Sequence, residues 1–177
     1  MDTKEPLRNQ ITDSSGNVQY TYIAHWVIVD RLQKRYKGLK IAQIVLTAAS
    51  TGGFLSSLLS GISALSWIGG ATSAIALGLN LYSLNFNLSD EIKSHKDAAN
   101  ELWDVREAYR SLLTDFDTLE IKDIQKRRDD LIGRVSDINK KYPGTDDKAF
   151  KKAQEKLKDY KFKDGEAVDL MHVDKRK

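Results

Sequence analysis

Forty-nine consecutive residues, Ile41–Ser89, contain no Asp, Glu, Lys, Arg or His. A helix rises ~1.5 Å per residue and a bilayer's hydrocarbon core is ~30 Å thick, so one span takes about 20 residues and two with a tight turn somewhat over 40. The run therefore fits two spans and not three. It divides into Ile41 to Leu59, a turn through Ser60-Gly61-Ile62-Ser63, and Ala64 to Leu84. Trp67 takes the place of an interfacial aromatic, and Tyr82 and Phe86 mark the return to the other interface. The mean hydropathy of -0.47 averages this stretch with a much more charged remainder and so conceals it. A buried hairpin in a soluble bundle is the competing reading. It would need several partner helices with wide apolar stripes, and the flanking segments carry too many charges to supply them.

Arg31, Lys34, Arg35, Lys37 and Lys40 crowd the approach to the first span. Lys and Arg close to span ends favour the cytoplasmic side, which predicts two cytoplasmic termini and an uncharged turn on the far side. The first 30 residues include Asp2, Glu5, Pro6 and Arg8 and lack an apolar core with a small-residue cleavage site, so no cleaved signal is expected. A net charge of +3 is too small to predict a nucleic-acid partner. The absence of cysteine excludes disulfides, thiolate metal sites and a cysteine nucleophile.

Small and polar residues form lines within the spans. Ala49, Gly53, Ser57 and Gly61 recur every four residues, as do Gly70, Ala74 and Gly78, a spacing that lets helix backbones approach closely. A second line runs Gly69, Ser73, Ala76, Asn80, Ser83, Asn87, and Gln43, Thr47 and Ser50 make a shorter one in the first span. An amide left unsatisfied in hydrocarbon costs several kcal/mol. Gln43 and Asn80 must therefore meet other helices or water. Either these residues bridge helices or they line a pore, and both readings need more helices than one chain provides, which predicts a homo-oligomer in the lipid bilayer.

The chain divides into a tail at 1–17, a membrane-proximal helix at 18–40, the hairpin at 41–89, a cytosolic helical region at 90–160 and a charged tail at 161–177. Tyr22, Trp26, Val29, Leu32 and Tyr36 recur at helical spacing. Leu88, Ile92, His95, Ala99, Leu102, Arg106, Tyr109 and Leu113 do so behind the membrane as an amphipathic stalk. After an interruption at Thr114-Asp115-Phe116-Asp117, Ile121, Ile124, Leu131, Val135, Ile138 and Tyr142 define a further helix closed by Pro143-Gly144. Thr145 or Asp146 then caps a short helix running through Leu157. The expected fold is an all-α membrane protein: a two-span transmembrane helical hairpin with a cytosolic helical stalk or bundle.

No motif assembles an active site, and no enzyme activity, metal or cofactor is expected. His25, His95 and His172 are scattered, none with a companion at metal-ligand spacing. Gly52-Gly53 and Gly69-Gly70 lie within apolar spans and read as packing glycines, without the GxxxxGK[ST] pattern of a phosphate loop. The cluster Lys126, Arg127, Arg128 and Arg134 suits an anionic ligand or lipid headgroup, although a solvated charge run has the same composition.

Trp26 with the step Asp30-Arg31-Leu32, the Ser/Gly/Thr-rich double span and the long charged helix together resemble the SLATT family, a two-span effector domain of bacterial nucleotide-second-messenger conflict systems. So do Arg128-Asp129-Asp130-Leu131, Lys140-Lys141-Tyr142-Pro143-Gly144-Thr145 and the words from Lys148 to Gln154, so that the likeness runs from about residue 18 to 158. These C-terminal words resemble one branch of the family, and Phe162 to Lys177 departs from that branch's acidic-to-apolar ending. The resemblance implies an effector of antiviral defence that permeabilises the inner membrane, with an infection-sensing enzyme or its nucleotide product as partner. A regulated pore, a membrane-tethered scaffold recruiting a soluble enzyme, and a holin-like lysis protein are the functions to separate. The long segment after the second span argues against the last.

Overall fold

The computed structural model describes residues 4–158, and they form five helices: α1 (Lys4–Ser60), α2 (Ser63–Asn85), α3 (Leu88–Thr114), α4 (Ile121–Lys141) and α5 (Asp147–Lys158). The charged segment 161–177 lies outside the described residues. Two compact units divide the chain. One comprises residues 4–29 and 93–158, the other Asp30–Ile92.

The first unit is a helical bundle whose core follows from heptad and four-residue spacings. α4 buries Ile124, Leu131 and Ile138, seven residues apart and hence on one face. α5 buries Ala149, Ala153 and Leu157 at four-residue spacing, and α3 contributes Ala99, Leu102, Val105, Tyr109 and Leu112. α3 is thus a core helix of this bundle, covered along its apolar stripe, where the sequence alone suggested a stalk. The first part of α1 adds Leu7, Ile11, Val18, Tyr22 and Val29.

Leu7 and Ile11 correct the reading of residues 1–17 as a tail, because α1 begins at Lys4 and both side chains are buried. Pro6 falls in the first turn described for α1, where backbone N–H groups have no intrahelical acceptor, so proline costs the helix little.

Polar contacts tie the bundle's surface together. Arg8 pairs with Asp117 while its guanidinium lies 4.5 Å from the centre of the Phe116 ring. Glu101 accepts from Lys141 Nζ at 2.6 Å and from the Tyr142 hydroxyl at 2.7 Å, and these two donors hold its carboxyl below the usual carboxylate range. The N-terminus of α5 is closed by Asp146, whose Oδ1 accepts from the Ala149 N–H at 2.8 Å. Of the two caps that the sequence offers, the aspartate is the one that bonds a free N–H of the first turn.

The second unit contains the helical hairpin. α1 ends at Ser60 and α2 begins at Ser63, so the corner consists of Gly61 and Ile62. Gly61 adopts φ +69°, a left-handed conformation open to glycine without a Cβ penalty. Its N–H still donates to the Ser57 carbonyl at 2.9 Å, leaving few backbone groups unpaired at the corner.

Apart from Tyr36, Ile132 and Phe150, every large apolar side chain exposed among the described residues lies between Ile41 and Phe86. Leu59 is 83% exposed, Trp67 81% and Leu84 78%. Full burial of such a side chain contributes ~1.5–3 kcal/mol, so leaving them all in water forgoes on the order of 20 kcal/mol. That exceeds the ~5–15 kcal/mol net stability of a whole domain. Lipid removes the cost, and a soluble core helix would have been covered by protein.

Candidate functional site

The hairpin's two helices meet along a seam of small and hydroxyl-bearing residues. At its closest point Gly53 faces Gly69: a Cβ on Gly69 would come within 3.3 Å of the Phe54 nitrogen and 3.4 Å of the Ser50 carbonyl oxygen. Backbone cannot yield as a flexible side chain can, so this crossing depends on the glycine. On either side hydroxyls pair across the helices. Ser50 donates to the Gly69 carbonyl at 3.2 Å and is hydrogen-bonded to Ser73, while Ser57 is bonded to Ser66. Nearer the charged end, Gln43 Nε2 donates to Ser83 Oγ at 2.9 Å and to the Leu79 carbonyl at 3.3 Å.

Four residues read from the sequence as bridging helices or lining a pore, Gln43, Ser50, Ser73 and Ser83, are therefore bonded across the hairpin of a single chain. Thr47 turns its hydroxyl back to the Gln43 carbonyl at 2.8 Å, as Thr51 and Thr72 do to carbonyls one turn earlier. Such local bonds satisfy a hydroxyl in hydrocarbon without a partner helix. Asn87 donates to Asp90 beyond the end of α2. Asn80 is exposed, and no hydrogen bond to its side chain occurs among the described residues.

The small residues divide into two groups. Gly53 and Ser57 belong to the seam. Gly70, Ala74 and Gly78 lie on exposed surface of α2, and a Cβ on Gly70 or Gly78 would meet nothing within 4 Å. Ala49 is likewise exposed, and Gly61 forms the corner. The two four-residue repeats thus do not face each other within one chain. The α2 helix instead crosses α1 through Gly69, one residue before its repeat begins.

At the open end of the hairpin a cavity of about 370 Å³ lies between α1 and α2, with Lys40, Gln43, Asn80 and Ser83 on its wall beside Tyr36 and Phe86. Tyr82 and Phe86 stack there with ring centres 4.6 Å apart.

In the bundle, Lys126, Arg127 and Arg134 line a second cavity, of about 710 Å³, together with Asp123 and Asp130. Arg128, grouped with them by sequence, turns elsewhere, to Asp129 at 2.8 Å and to Gln10 at 3.0 Å. The carboxylates offset most of the cluster's charge.

The bundle also holds a pair that sequence reasoning left apart. His25 Nδ1 lies 2.8 Å from His95 Nδ1, both side chains being 3% exposed. One nitrogen must carry the proton and the other accept it. Burial first, and then the charge of His95, lower the His25 pKa to about 4. The signal was present in the spacing, since His25 stands three residues after Tyr22 and four before Val29, on the buried face of α1. Among the described residues no group of three His, Asp or Glu is placed to hold a metal ion.

Compared with known proteins, residues 7–166 match the family model described as SMODS and SLOG-associating 2TM effector domain family 4. No curated protein and no solved structure matches the chain.

Proposed function

The chain belongs to the SMODS and SLOG-associating 2TM effector domain family 4, a family of membrane effector domains, and from that membership we propose that it oligomerises in the bacterial inner membrane and forms a regulated pore in antiviral defence. Both termini and the helical bundle are cytoplasmic in this reading, following the lysines and arginines before Ile41. An infection-sensing enzyme or its nucleotide product provides the signal, and the bundle holds the assembly shut until it arrives.

The observation that carries the proposal is the free face of α2. Gly70 and Gly78 have open space where a neighbouring helix backbone would fit, after the hairpin has already used Gly53 and Gly69 for its own crossing. Asn80 is unpaired on the same helix and needs a polar neighbour or water in the membrane. Two helices cannot enclose a conduit, so several copies must contribute. Reconstitution into liposomes with an entrapped dye tests this. Leakage on activation, abolished by Asn80→Leu, supports the pore; intact liposomes together with full toxicity of Asn80→Leu in cells refute it.

A second reading, a membrane-tethered scaffold that recruits a soluble enzyme, is favoured by one observation. The hydroxyls and amide of Gln43, Ser50, Ser73 and Ser83 are bonded within the hairpin, which leaves less polar surface for a lumen. Exchange of the hairpin for an unrelated two-span anchor separates the two: the scaffold keeps its function and the pore loses it.

A further inference from the structure

The cavity at the open end of the hairpin is lined by eleven residues, and not one is a carboxylate. Its single formal charge is that of Lys40. The Lys40 ammonium lies 5.5 Å from the centre of the Tyr36 ring, and no carboxylate among the described residues stands within ion-pair distance of it. Asn80, on the opposing helix, has an unpaired amide. Ser83 already accepts from Gln43 at 2.9 Å, so its own hydroxyl proton is free to donate. Three donors therefore line one cavity whose own lining holds no carboxylate, the Asp90 carboxylate being engaged by the side chain of Asn87. The cavity in the bundle differs in kind, because Asp123 and Asp130 already neutralise most of its basic charge.

Position fixes the ligand further. Lys40 is the last charged residue before the neutral run and Asp90 the first after it, so the cavity sits where both ends of the hairpin leave hydrocarbon. Tyr36 beside it is a residue suited to the headgroup level. A volume of about 370 Å³ falls within the ~300–1,000 Å³ typical of small-ligand sites. We propose that this cavity binds the phosphate of an anionic phospholipid headgroup, with Lys40 supplying the charge and Asn80 and Ser83 the hydrogen bonds. The acyl chains then lie against the exposed apolar residues of the hairpin. The site rests on the membrane reading, not on pore formation.

The test is native mass spectrometry of the full chain released from nanodiscs made of equimolar phosphatidylglycerol and phosphatidylcholine. The site predicts preferential retention of phosphatidylglycerol, reduced about fivefold by Lys40→Gln and also reduced by Asn80→Leu. Lys151→Gln, an equal charge change at an exposed position of α5 outside every site described above, leaves retention unchanged. Equal retention of the two lipids, or a preference that survives Lys40→Gln, overturns the site while the membrane reading stands. Loss of the lipid on adding soluble glycerol phosphate reassigns the donors to a free phosphate and overturns the lipid. A chain that never enters nanodiscs refutes the site and the membrane reading together.

Discussion

His25 and His95, seventy positions apart in the chain, share a hydrogen bond of 2.8 Å between their Nδ1 atoms inside the helical bundle. The bond requires one neutral acceptor nitrogen, and the surroundings keep His25 neutral down to a pH of about 4.

This pair makes the bundle sensitive to acid. The free value of His25 is 6.5 and the folded value about 4. Between them the unfolded chain binds a proton that the folded chain does not, so stability is complete at neutral pH and falls as pH drops through that window. At ~1.4 kcal/mol per pKa unit the loss is about 3 kcal/mol by pH 4. Thermal unfolding in detergent at pH 7.5 and 4.5 measures it, and His25→Asn is expected to flatten the dependence. A transition temperature that rises on acidification contradicts the assignment.

Gly69 sets the hairpin crossing. Gly69→Val places branched carbons against the backbone of Phe54 and Ser50, which cannot move aside locally, so the helices must separate. The expected destabilisation is about 1–3 kcal/mol, read by unfolding in detergent. Gly70→Val, one residue along, points into open space and leaves the isolated hairpin as stable as before. If oligomers form through that face, Gly70→Val shifts their size in size-exclusion chromatography with light scattering. Equal destabilisation by both variants would place the crossing wrongly.

Gln43→Leu removes the two bonds that tie α1 to α2 near the charged end. Interhelical hydrogen bonds in membranes contribute ~0.6–2 kcal/mol, and the loss should lie in that range. A double-mutant cycle with Ser83→Ala isolates the direct contact. A coupling energy of zero would show that the two side chains do not meet.

Asp146→Ala removes the cap of α5 and is expected to cost about 1 kcal/mol. Asp146→Ser, which retains an acceptor oxygen, should recover most of it. Hydrogen exchange at the Ala149 amide reports the change directly, and unaltered protection there would contradict the capping role.

The hairpin was legible because an uninterrupted neutral run of this length has few other physical outcomes, and its corner fell at Gly61 as the turn residues suggested. The apolar repeat of α4 was equally plain. The helical stretch within residues 4–17 was missed because it depends on Leu7 and Ile11 finding cover from distant segments. The seam is harder to read. Gly69 and Gly70 are adjacent and chemically identical, and the choice of which one faces α1 is made by the geometry of the crossing. The lines of Ser, Gln and Asn announced polar contact within the membrane but left its partner open. Pairing across seventy positions, as for His25 and His95, leaves only the weaker trace of each residue's place on a buried face.

The corner at Gly61 and Ile62 has a practical consequence for finding out which way the protein faces. A hairpin that turns with two neutral residues presents no lysine to trypsin or to amine-reactive dyes from the side it reaches, and no acid to carbodiimides. Reagents applied there will report silence whether or not the loop has crossed. Since the chain contains no cysteine, a single thiol introduced at Ile62 would be its only maleimide target, and the whole signal would come from the loop.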